Sequence, residues 1–418
     1  MRIFLNLLQA NDILRNMKYV ILIIDGAAGH PLPEYGGKTC LELAHTPNMN
    51  TLAEESLMGM TRTIPQGMEP SSACACMSIL GYNPETYYRG RSAIEAKSIG
   101  IPLNKGEVFF RCNLVCVENG KMASYSSGSI EDKDAHELIV SLQQNLGNEN
   151  IHFYPGISYR HICKIAGHKE TLMAICTPPH DIPGKPIADF LPHGQGSALL
   201  RELMLKSEEV LSNHKVNIER RAKKAIPATM IWLFWGSGQI PDMPSFKNVT
   251  GLRAAITSGV DLLKGLAKMT EIDILNIPGV SDDLTNDYEA QASGAMNALE
   301  KYDLVIIHVE SPDEAGHIGS ISNKVDAIEK IDRHIVQKLK DWSGSSLRVL
   351  IMPDHPTPIV LQTHTAEPIP FMVWGVGNEA NGAKRFTEAE ALKTGLFIDN
   401  AHTLISQLLV ISDKQPHA

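Results

Sequence analysis

Three apolar runs along the chain each lead directly into acidic or histidine residues. The first occupies residues 18–24 and ends in Asp25-Gly26, and similar runs follow at 303–309 and 347–352. Runs without polar interruption are typical of parallel strands that are buried on both faces of a sheet. Because open α/β sheets bind ligands at the carboxyl ends of their strands, the pattern predicts metal-type ligands at three strand ends.

The segment between the last two runs has the period of an amphipathic helix. Charged residues occupy one face, and the apolar face consists of Ile321, Val325, Ile328, Ile331, Ile335 and Leu339. A strand, a helix and a second strand in this order predict a parallel βαβ unit, and hence an α/β fold class.

The middle of the chain has a different pattern. Residues 106–225 contain short alternating runs separated by glycine and proline, together with a helical pattern near 197–212. We interpret 106–225 as a smaller α+β cap domain, inserted into an α/β domain that consists of residues 17–105 and 226–418. The main sheet is expected to resume with the apolar run at 228–236, and residues 1–16 are expected to be an N-terminal extension.

Composition and charge exclude several classes of partner. The 418 residues are 43% hydrophobic and 20% charged, as in ordinary globular proteins, and no apolar run reaches the roughly 18 residues that span a bilayer. A net charge of −9 argues against nucleic acid or an anionic membrane as the main partner. An anionic substrate therefore requires a local basic pocket. Nothing in the sequence indicates an oligomeric state.

The seven cysteines are scattered and form no CxxC pair. The pattern therefore predicts neither a disulfide framework nor a zinc site built from thiolates. A reducing, cytoplasmic location is expected.

Carboxylates and imidazoles cluster in the motifs that follow the apolar runs. Asp313 and His317 in SPDEAGH are one helical turn apart, so that both could face the same ion. The full set comprises three carboxylates and three imidazoles: Asp25, Asp313, His317, Asp354, His355 and His364. These ligands suit zinc or manganese and are more than one ion needs, which indicates a two-metal site for phosphoryl transfer.

The segment MEPSSACACMSILGYNP supplies a candidate nucleophile. Ser71 and Ser72 lie among small residues, where a tight turn could direct a hydroxyl toward the metals. A serine hydroxyl is a poor nucleophile at neutral pH unless a base or a metal stabilises its alkoxide, so the metal set and a serine would act together.

Several motifs occur in a recognisable order from about residue 17 to about residue 410. They are DG at 25–26, GGKTCLELAHTPNMNTLA, the serine segment ending in LGYNP, YYRGRSAIEA, SPDEAGH, PDH and THTAEPIP. In this order they resemble the archaeal-type cofactor-independent phosphoglycerate mutase family of the alkaline phosphatase superfamily. The resemblance implies an alkaline phosphatase-like core, with a mostly parallel sheet flanked by helices, and a small phosphorylated metabolite as substrate.

The resemblance also implies roles for individual residues. Ser72 would become phosphorylated and would contact one metal ion. The ligands would be Asp25, Asp354 and His355 for that ion, and Asp313, His317 and His364 for the other. The implied reaction interconverts 3-phosphoglycerate and 2-phosphoglycerate in glycolysis, without 2,3-bisphosphoglycerate, while the cap excludes water. Manganese is favoured over zinc for the two divalent ions.

Anionic substrates require cationic side chains, and guanidinium groups bind carboxylate and phosphate in bidentate fashion. The candidates for substrate binding are Arg89, Arg91, Arg111, Arg160 and His161.

Two departures from the family pattern leave other reactions open. The family usually reads Pro-Gly-Ser-Asp where this chain has Pro70-Ser71-Ser72-Ala73. The form GRSAIEA at 90–96 resembles a subgroup that has been proposed to act as homoserine kinases. The alternatives are therefore a phosphotransferase that acts on homoserine and a phosphomonoesterase. A phosphate-binding GxxxxGK[ST] loop is absent from the sequence.

Overall fold

The computed structural model describes residues 17–102 and 104–409. The predicted N-terminal extension, residues 1–16, lies outside this part of the chain. The described residues form two compact units: one consists of residues 17–88 and 242–409, and the other of Arg89–Pro241. In the described residues, no helix has both the length and the apolar character that crossing a membrane would require.

The strands are β1 (Lys18–Ile24), β2 (Leu57–Thr61), β3 (Glu107–Glu118), β4 (Lys121–Ser124), β5 (Ile151–Tyr154), β6 (Arg160–Ala166), β7 (Met230–Ser237), β8 (Ala254–Thr257), β9 (Asp273–Ile274), β10 (Leu304–Val309), β11 (Leu347–Met352), β12 (Ile369–Gly375) and β13 (Phe397–Ile398).

The α-helices are α1 (Cys40–Leu43), α2 (Pro47–Glu54), α3 (Ser72–Ile79), α4 (Pro84–Tyr87), α5 (Arg91–Ser98), α6 (Asp132–Leu146), α7 (Ser197–Leu211), α8 (Lys215–Ala222), α9 (Phe246–Thr250), α10 (Asp261–Met269), α11 (Tyr288–Ala298), α12 (Ser311–His317), α13 (Ile321–Ile331), α14 (Gln337–Lys340), α15 (Glu388–Lys393) and α16 (Leu404–Leu409). A π-helical turn, Asp332–Val336, connects α13 to α14.

The first unit is built on a mostly parallel sheet of eight strands in the order β13-β2-β12-β11-β1-β10-β8-β9. Strand β1 pairs in parallel with β10 on one side and with β11 on the other. Only β12 runs antiparallel to its neighbours. Along β1, every residue from Tyr19 to Ile24 is buried, because both faces of the sheet are covered. The three predicted strands and the α/β architecture are confirmed.

The predicted helix between β10 and β11 is also confirmed, since α13, the π-helical turn and α14 follow one another without a break. Two charged residues on its polar face are nevertheless buried. Asp332 accepts hydrogen bonds from the backbone N–H groups of Asn48 (3.2 Å) and Met49 (2.7 Å) at the start of α2. Lys324 is 0% exposed and lies near the metal-type ligands.

The second unit contains an antiparallel sheet in which β3 pairs with β4, β6 and β7, and β5 pairs with β6. The expectation that the run at 228–236 returns to the main sheet is wrong. This run forms β7, which pairs antiparallel with β3, and its Trp232 lies in the core of the second unit. The sequence of an apolar strand does not determine which of two sheets it joins. Here β7 joins the second sheet because the long β3 has free hydrogen-bonding groups along both of its edges, one of which pairs with β6 and the other with β7.

The borders of the two units also differ from the expected insertion at 106–225. The second unit begins at Arg89 and ends at Pro241, because α5 and β7 pack with β3. The predicted helix near 197–212 is observed as α7. By contrast, the alternating run at 171–177 does not form a strand. Its first residues belong to a 3-10 helix, Lys169–Met173, and Ile175 then forms an isolated β-bridge with His193.

Candidate active site

The carboxyl ends of three adjacent strands bring the predicted ligands together. Asp25 follows β1, Asp313 lies on α12 directly after β10, and Asp354 and His355 follow β11. The order β11-β1-β10 makes these strand ends neighbours, so residues more than 300 positions apart in the sequence come into contact. Gly26, at φ +61°, allows the tight turn after Asp25, where a Cβ would overlap the side chains of Asp313 and Thr357.

One group of potential metal ligands consists of Asp25, Asp354 and His355, all fully buried. The His355 Nε2 atom lies 3.5 Å from Asp25 Oδ1 and 3.2 Å from Asp354 Oδ2. The other oxygen of Asp354 accepts hydrogen bonds from the backbone N–H groups of Gly26 (3.0 Å) and His355 (2.8 Å). These bonds leave Asp354 Oδ2 directed at the ligand group.

A second group consists of Asp313, His355 and His364, so His355 belongs to both groups. The Asp313 carboxylate lies 3.5 Å from His364 Nε2 and 3.1 Å from His317 Nε2. The other ring nitrogen of His317 lies 3.0 Å from the carbonyl oxygen of Gln362, which orients Nε2 toward Asp313 and His364. The structure therefore brings all six predicted ligands into one site.

Ser72 lies at this site, although the local structure differs from the prediction. It begins helix α3 rather than occupying a tight turn, because the Ser71 side chain caps the helix by accepting a hydrogen bond from Cys74 N (3.3 Å). The Ser72 hydroxyl lies 3.1 Å from His355 Nε2. Of the two neighbouring serines, Ser71 is thus engaged in capping and Ser72 is directed at the ligand group.

The charges in the site are strongly coupled. Burial, followed by the charges of Asp354 and Asp313, raises the pKa of Asp25 well above its usual range. Burial would likewise raise the pKa of Asp313, but His364 and His317 outweigh it and hold that pKa well below its usual range. Burial opposes protonation of His317, yet the hydrogen bond to Asp313 raises its pKa to about 9. Protons on His317 and on the Asp25 carboxyl thus reduce the negative charge of the buried site.

Divalent cations could take the place of these protons, since metal binding and ligand deprotonation are linked. Asp25 Oδ1 is buried without a hydrogen-bond partner, as expected of an atom that is reserved for a metal ion. Carboxylate oxygens and imidazole nitrogens are also the donors that manganese and zinc accept. The residues present therefore fit bound divalent ions.

Comparison with known proteins identifies the family. The sequence profile of the family described as 2,3-bisphosphoglycerate-independent phosphoglycerate mutase matches residues 53–217. The protein of that name from Methanosarcina acetivorans is 42% identical over 399 residues, which cover 94% of this chain and 100% of the relative. Another protein of that name, from Thermococcus kodakarensis, is 30% identical, and the match covers 98% of that relative. This chain belongs to the 2,3-bisphosphoglycerate-independent phosphoglycerate mutase family.

Solved structures of similar proteins show the same fold as this mutase family member. A protein from Pyrococcus horikoshii is similar with a TM-score of 0.77 and 27% identity, over 96% of this chain and 99% of that chain. The cofactor-independent phosphoglycerate mutase from Thermoplasma acidophilum has a TM-score of 0.60 at 22% identity, over 94% of this chain and 98% of that chain. The second similarity shows that the mutase fold is shared, which confirms the predicted fold class.

The predicted substrate-binding residues of this mutase family member all lie in the second unit, where Arg91 and Arg111 share one carboxylate. Glu95 Oε1 accepts hydrogen bonds from Arg91 Nε (2.6 Å) and Arg111 Nη1 (2.5 Å). Both guanidinium groups also lie over the Trp235 ring, 4.9 and 6.0 Å from its centroid. The two arginines and Glu95 together carry one net positive charge.

The other candidates differ in exposure. Arg89 is exposed, and Arg160 is half-buried with its guanidinium carbon 5.7 Å from the Tyr159 ring centroid. His161 is 1% exposed and accepts a hydrogen bond from Gly156 N (3.0 Å). Burial lowers the pKa of His161 to about 3, so its ring is neutral at physiological pH.

Glu95 is expected to stabilise the second unit in a pH-dependent way. Burial opposes its ionisation, but Arg111 and Arg91 lower its pKa from 4.5 to about 2. Its contribution is therefore complete above pH 4.5 and is lost as the pH falls toward 2. We expect Glu95→Gln to lower the free energy of unfolding at pH 7 by about 3 kcal/mol, because the buried Arg111 and the partly buried Arg91 lose their counter-charge.

Urea denaturation of both proteins at several pH values tests this expectation. The exposed Glu149 provides the matched control, and Glu149→Gln should change the free energy of unfolding by less than about 0.5 kcal/mol. An equal difference between wild type and Glu95→Gln at pH 7 and at pH 3 would contradict the assignment.

Sequence reasoning missed several residues that surround the ligands. His308 lies near the end of β10, Glu310 follows directly after this strand, and both lie beside Asp25; their position at a strand end is the signal that could have identified them. Thr357 donates a hydrogen bond to Asp313 Oδ1. Lys324 Nζ donates to the carbonyl oxygens of Ala28 (3.1 Å) and Thr357 (2.7 Å), so it connects the loops after β1 and β11. No local signal distinguishes Lys324 from a surface lysine.

Proposed function

We propose that this chain interconverts 3-phosphoglycerate and 2-phosphoglycerate through a phosphoserine at Ser72, without 2,3-bisphosphoglycerate. The observation that carries the proposal is the 3.1 Å distance from the Ser72 hydroxyl to His355 Nε2, because His355 belongs to both ligand groups. Relatives that are 42% identical and matched over their whole length bear the mutase name. A step of glycolysis in the cytoplasm is the corresponding cellular role.

Two divalent ions, with manganese favoured, complete the proposed site. Asp25, Asp354, His355 and Ser72 would hold one ion, and Asp313, His317 and His364 the other. Bound there, the ions would stabilise the serine alkoxide and neutralise the oxygens of the transferred phosphoryl group.

The protein itself favours an anion at the position of Ser72. The residue is the first of helix α3, where the first backbone N–H groups have no partner within the helix and the helix dipole is positive. A phosphate on Ser72 would therefore be stabilised by the helix as well as by the cations. This effect lowers the free energy of the phosphorylated enzyme, which must persist while the bound glycerate reorients.

The second unit supplies the cationic chemistry that the substrate needs. We assign Arg89, Arg91, Arg111 and Arg160 to binding of the carboxylate and phosphate of phosphoglycerate, with His161 as a neutral neighbour. Ion pairing of Arg91 and Arg111 with the same Glu95 fixes the orientation of both guanidinium groups before substrate arrives. We also assign to this unit the exclusion of water that protects a phosphoserine from hydrolysis.

Phosphorus NMR tests the proposed reaction against its alternatives. The manganese-loaded enzyme is given 3-phosphoglycerate in one tube and homoserine with ATP in another, without 2,3-bisphosphoglycerate. We expect 2-phosphoglycerate to accumulate to equilibrium in the first tube and no homoserine phosphate in the second. Release of free phosphate alone would make the chain a phosphomonoesterase, and homoserine phosphate alone would make it a kinase; either outcome refutes the mutase proposal.

A further inference from the structure

Trp235, in β7, has a backbone conformation that bulky residues rarely adopt. Its φ is +49°, in the left-handed region. The cause is a β-bulge at which Trp235 and Gly236 together oppose one residue of β3, Phe110. A Cβ atom on Gly236 would lie 2.6 Å from the Phe110 ring, so the residue after Trp235 has to be glycine. Strain of this kind costs energy, persists only where the surrounding structure holds it, and is common at ligand-binding sites.

The bulge is attached to helix α5. Ser92 is buried in this helix, and its hydroxyl donates a hydrogen bond to the backbone carbonyl oxygen of Trp235 (2.6 Å). Gly90 precedes the helix at φ +101°, where a Cβ atom would lie 2.6 Å from the Ser237 hydroxyl. The start of α5 therefore packs directly against the bulge, and Arg91 is the first residue of the same helix.

The indole of Trp235 contacts two of the proposed substrate-binding arginines. Its ring centroid is 4.9 Å from the guanidinium carbon of Arg91 and 6.0 Å from that of Arg111, within the range of cation–π attraction. The rings of Phe234 and His180 lie beside the indole, at centroid distances of 4.6 and 5.5 Å. Aromatic neighbours thus hold the indole that contacts the arginines.

Several positive charges lie close together around Arg111. Burial lowers the pKa of Arg111, and the charges of Arg91 and Arg160 lower it further, although Glu95 opposes them. The single carboxylate of Glu95 is shared by Arg91 and Arg111, so repulsion between the arginines is only partly offset. An aromatic face attracts these cations without adding a negative charge, which would repel an anionic substrate.

We propose that Trp235 is a positioning residue for substrate binding, which holds the guanidinium groups of Arg91 and Arg111 in place before the substrate arrives. A cation–π contact uses the face of a guanidinium group and not its N–H groups. An arginine held in this way can still donate hydrogen bonds to a carboxylate or a phosphate. The role rests on the proposed function, in which both arginines bind phosphoglycerate.

Steady-state kinetics of the manganese-loaded enzyme with 3-phosphoglycerate tests the proposal. We expect Trp235→Leu to raise KM roughly 10-fold and Trp235→Phe roughly 3-fold, because phenylalanine keeps a weaker cation–π contact. Both variants should keep kcat within about 2-fold of the wild type, because the lost contacts stabilise bound substrate and transition state alike. A tryptophan that only filled space would lower the folded fraction of the enzyme, and hence kcat, but not KM.

Trp374→Leu is the matched control. Trp374 is half-buried like Trp235, but it lies in the first unit, where its indole N–H donates a hydrogen bond to Glu55 (3.0 Å). This variant should keep the KM and kcat of the wild type. An unchanged KM in Trp235→Leu would overturn the proposal. If Trp235→Leu does not fold by circular dichroism, an unchanged KM in Trp235→Phe would overturn it.

A wild type that does not convert 3-phosphoglycerate would refute the proposed function rather than the role of Trp235. Crystal structures of the wild type and of the folded Trp235 variant then decide this role. Guanidinium groups of Arg91 and Arg111 that leave their wild-type positions in the variant would support it. Unchanged positions of both groups would overturn it.

Discussion

Replacing Ser72 with alanine is expected to lower the rate of phosphoglycerate interconversion by roughly 10⁵-fold, as for other enzymes that lose their nucleophile. Ser72 Oγ is the only atom of this side chain that could carry the phosphoryl group, and it lies 3.1 Å from His355 Nε2. Because Asp25, Asp354 and His355 remain, the variant should still bind manganese. The measurement is the initial rate of 2-phosphoglycerate formation, followed by coupling to enolase.

Ser71→Ala is the matched control for this experiment. Ser71 accepts the capping hydrogen bond from Cys74 N, so its loss should cost about 1 kcal/mol of stability and change the rate only a few-fold. The reverse result, an active Ser72→Ala and an inactive Ser71→Ala, would show that the neighbouring hydroxyl attacks. Nearly full activity in both variants would exclude a phosphoserine mechanism at this segment.

Asp354→Asn is expected to remove bound metal and to lower the rate by roughly 10³-fold, which corresponds to several kcal/mol of lost charge stabilisation. The carboxylate has no exposed surface, and its Oδ1 atom accepts hydrogen bonds from Gly26 N and His355 N. Asparagine can preserve these bonds and the shape of the side chain. It cannot, however, supply a negative charge or a second oxygen opposite His355 Nε2.

Metal content and rate should be measured on the same samples of Asp354→Asn. The control is Asp326→Asn, since Asp326 lies on the surface of α13 and pairs only with Lys330, at 2.7 Å, among the ion pairs of the described chain. We expect Asp326→Asn to match the wild type in both measurements. If Asp354→Asn retained the full metal content and the full rate, the assignment of Asp354 as a ligand would be wrong.

The main sheet and the ligand set were predictable for a physical reason. Strands β1, β10 and β11 are buried on both faces, so their sequences are apolar at nearly every position, with Lys18, His308 and Arg348 as the exceptions, and the ends of the strands are easy to locate in the sequence. Ligands immediately after such strands must lie at one edge of the sheet. The sequence could therefore place Asp25, Asp354 and His355 at one edge of the sheet, and the family resemblance assigned them to one ion. Their direct contact depends on the strand order β11-β1-β10.

Other features could not be predicted because they depend on partners that are distant in sequence. The apolar run of β7 is compatible with either sheet, and its pairing with β3 decides the border of the second unit. Lys324 and Asp332 resemble surface residues of an amphipathic helix, but hydrogen bonds to Thr357 O and to the start of α2 account for their burial.

Transfer of the phosphoryl group through Ser72 is tested most directly by trapping it on the chain. The manganese-loaded enzyme is mixed with ³²P-labelled 3-phosphoglycerate, quenched with acid within one turnover, and digested for fragment-ion mass spectrometry. The proposed mechanism predicts label on Ser72, and its transfer to 2-phosphoglycerate when unlabelled substrate is added before the quench. Formation of 2-phosphoglycerate at full rate with no label on the chain, or with label on another residue, would contradict it.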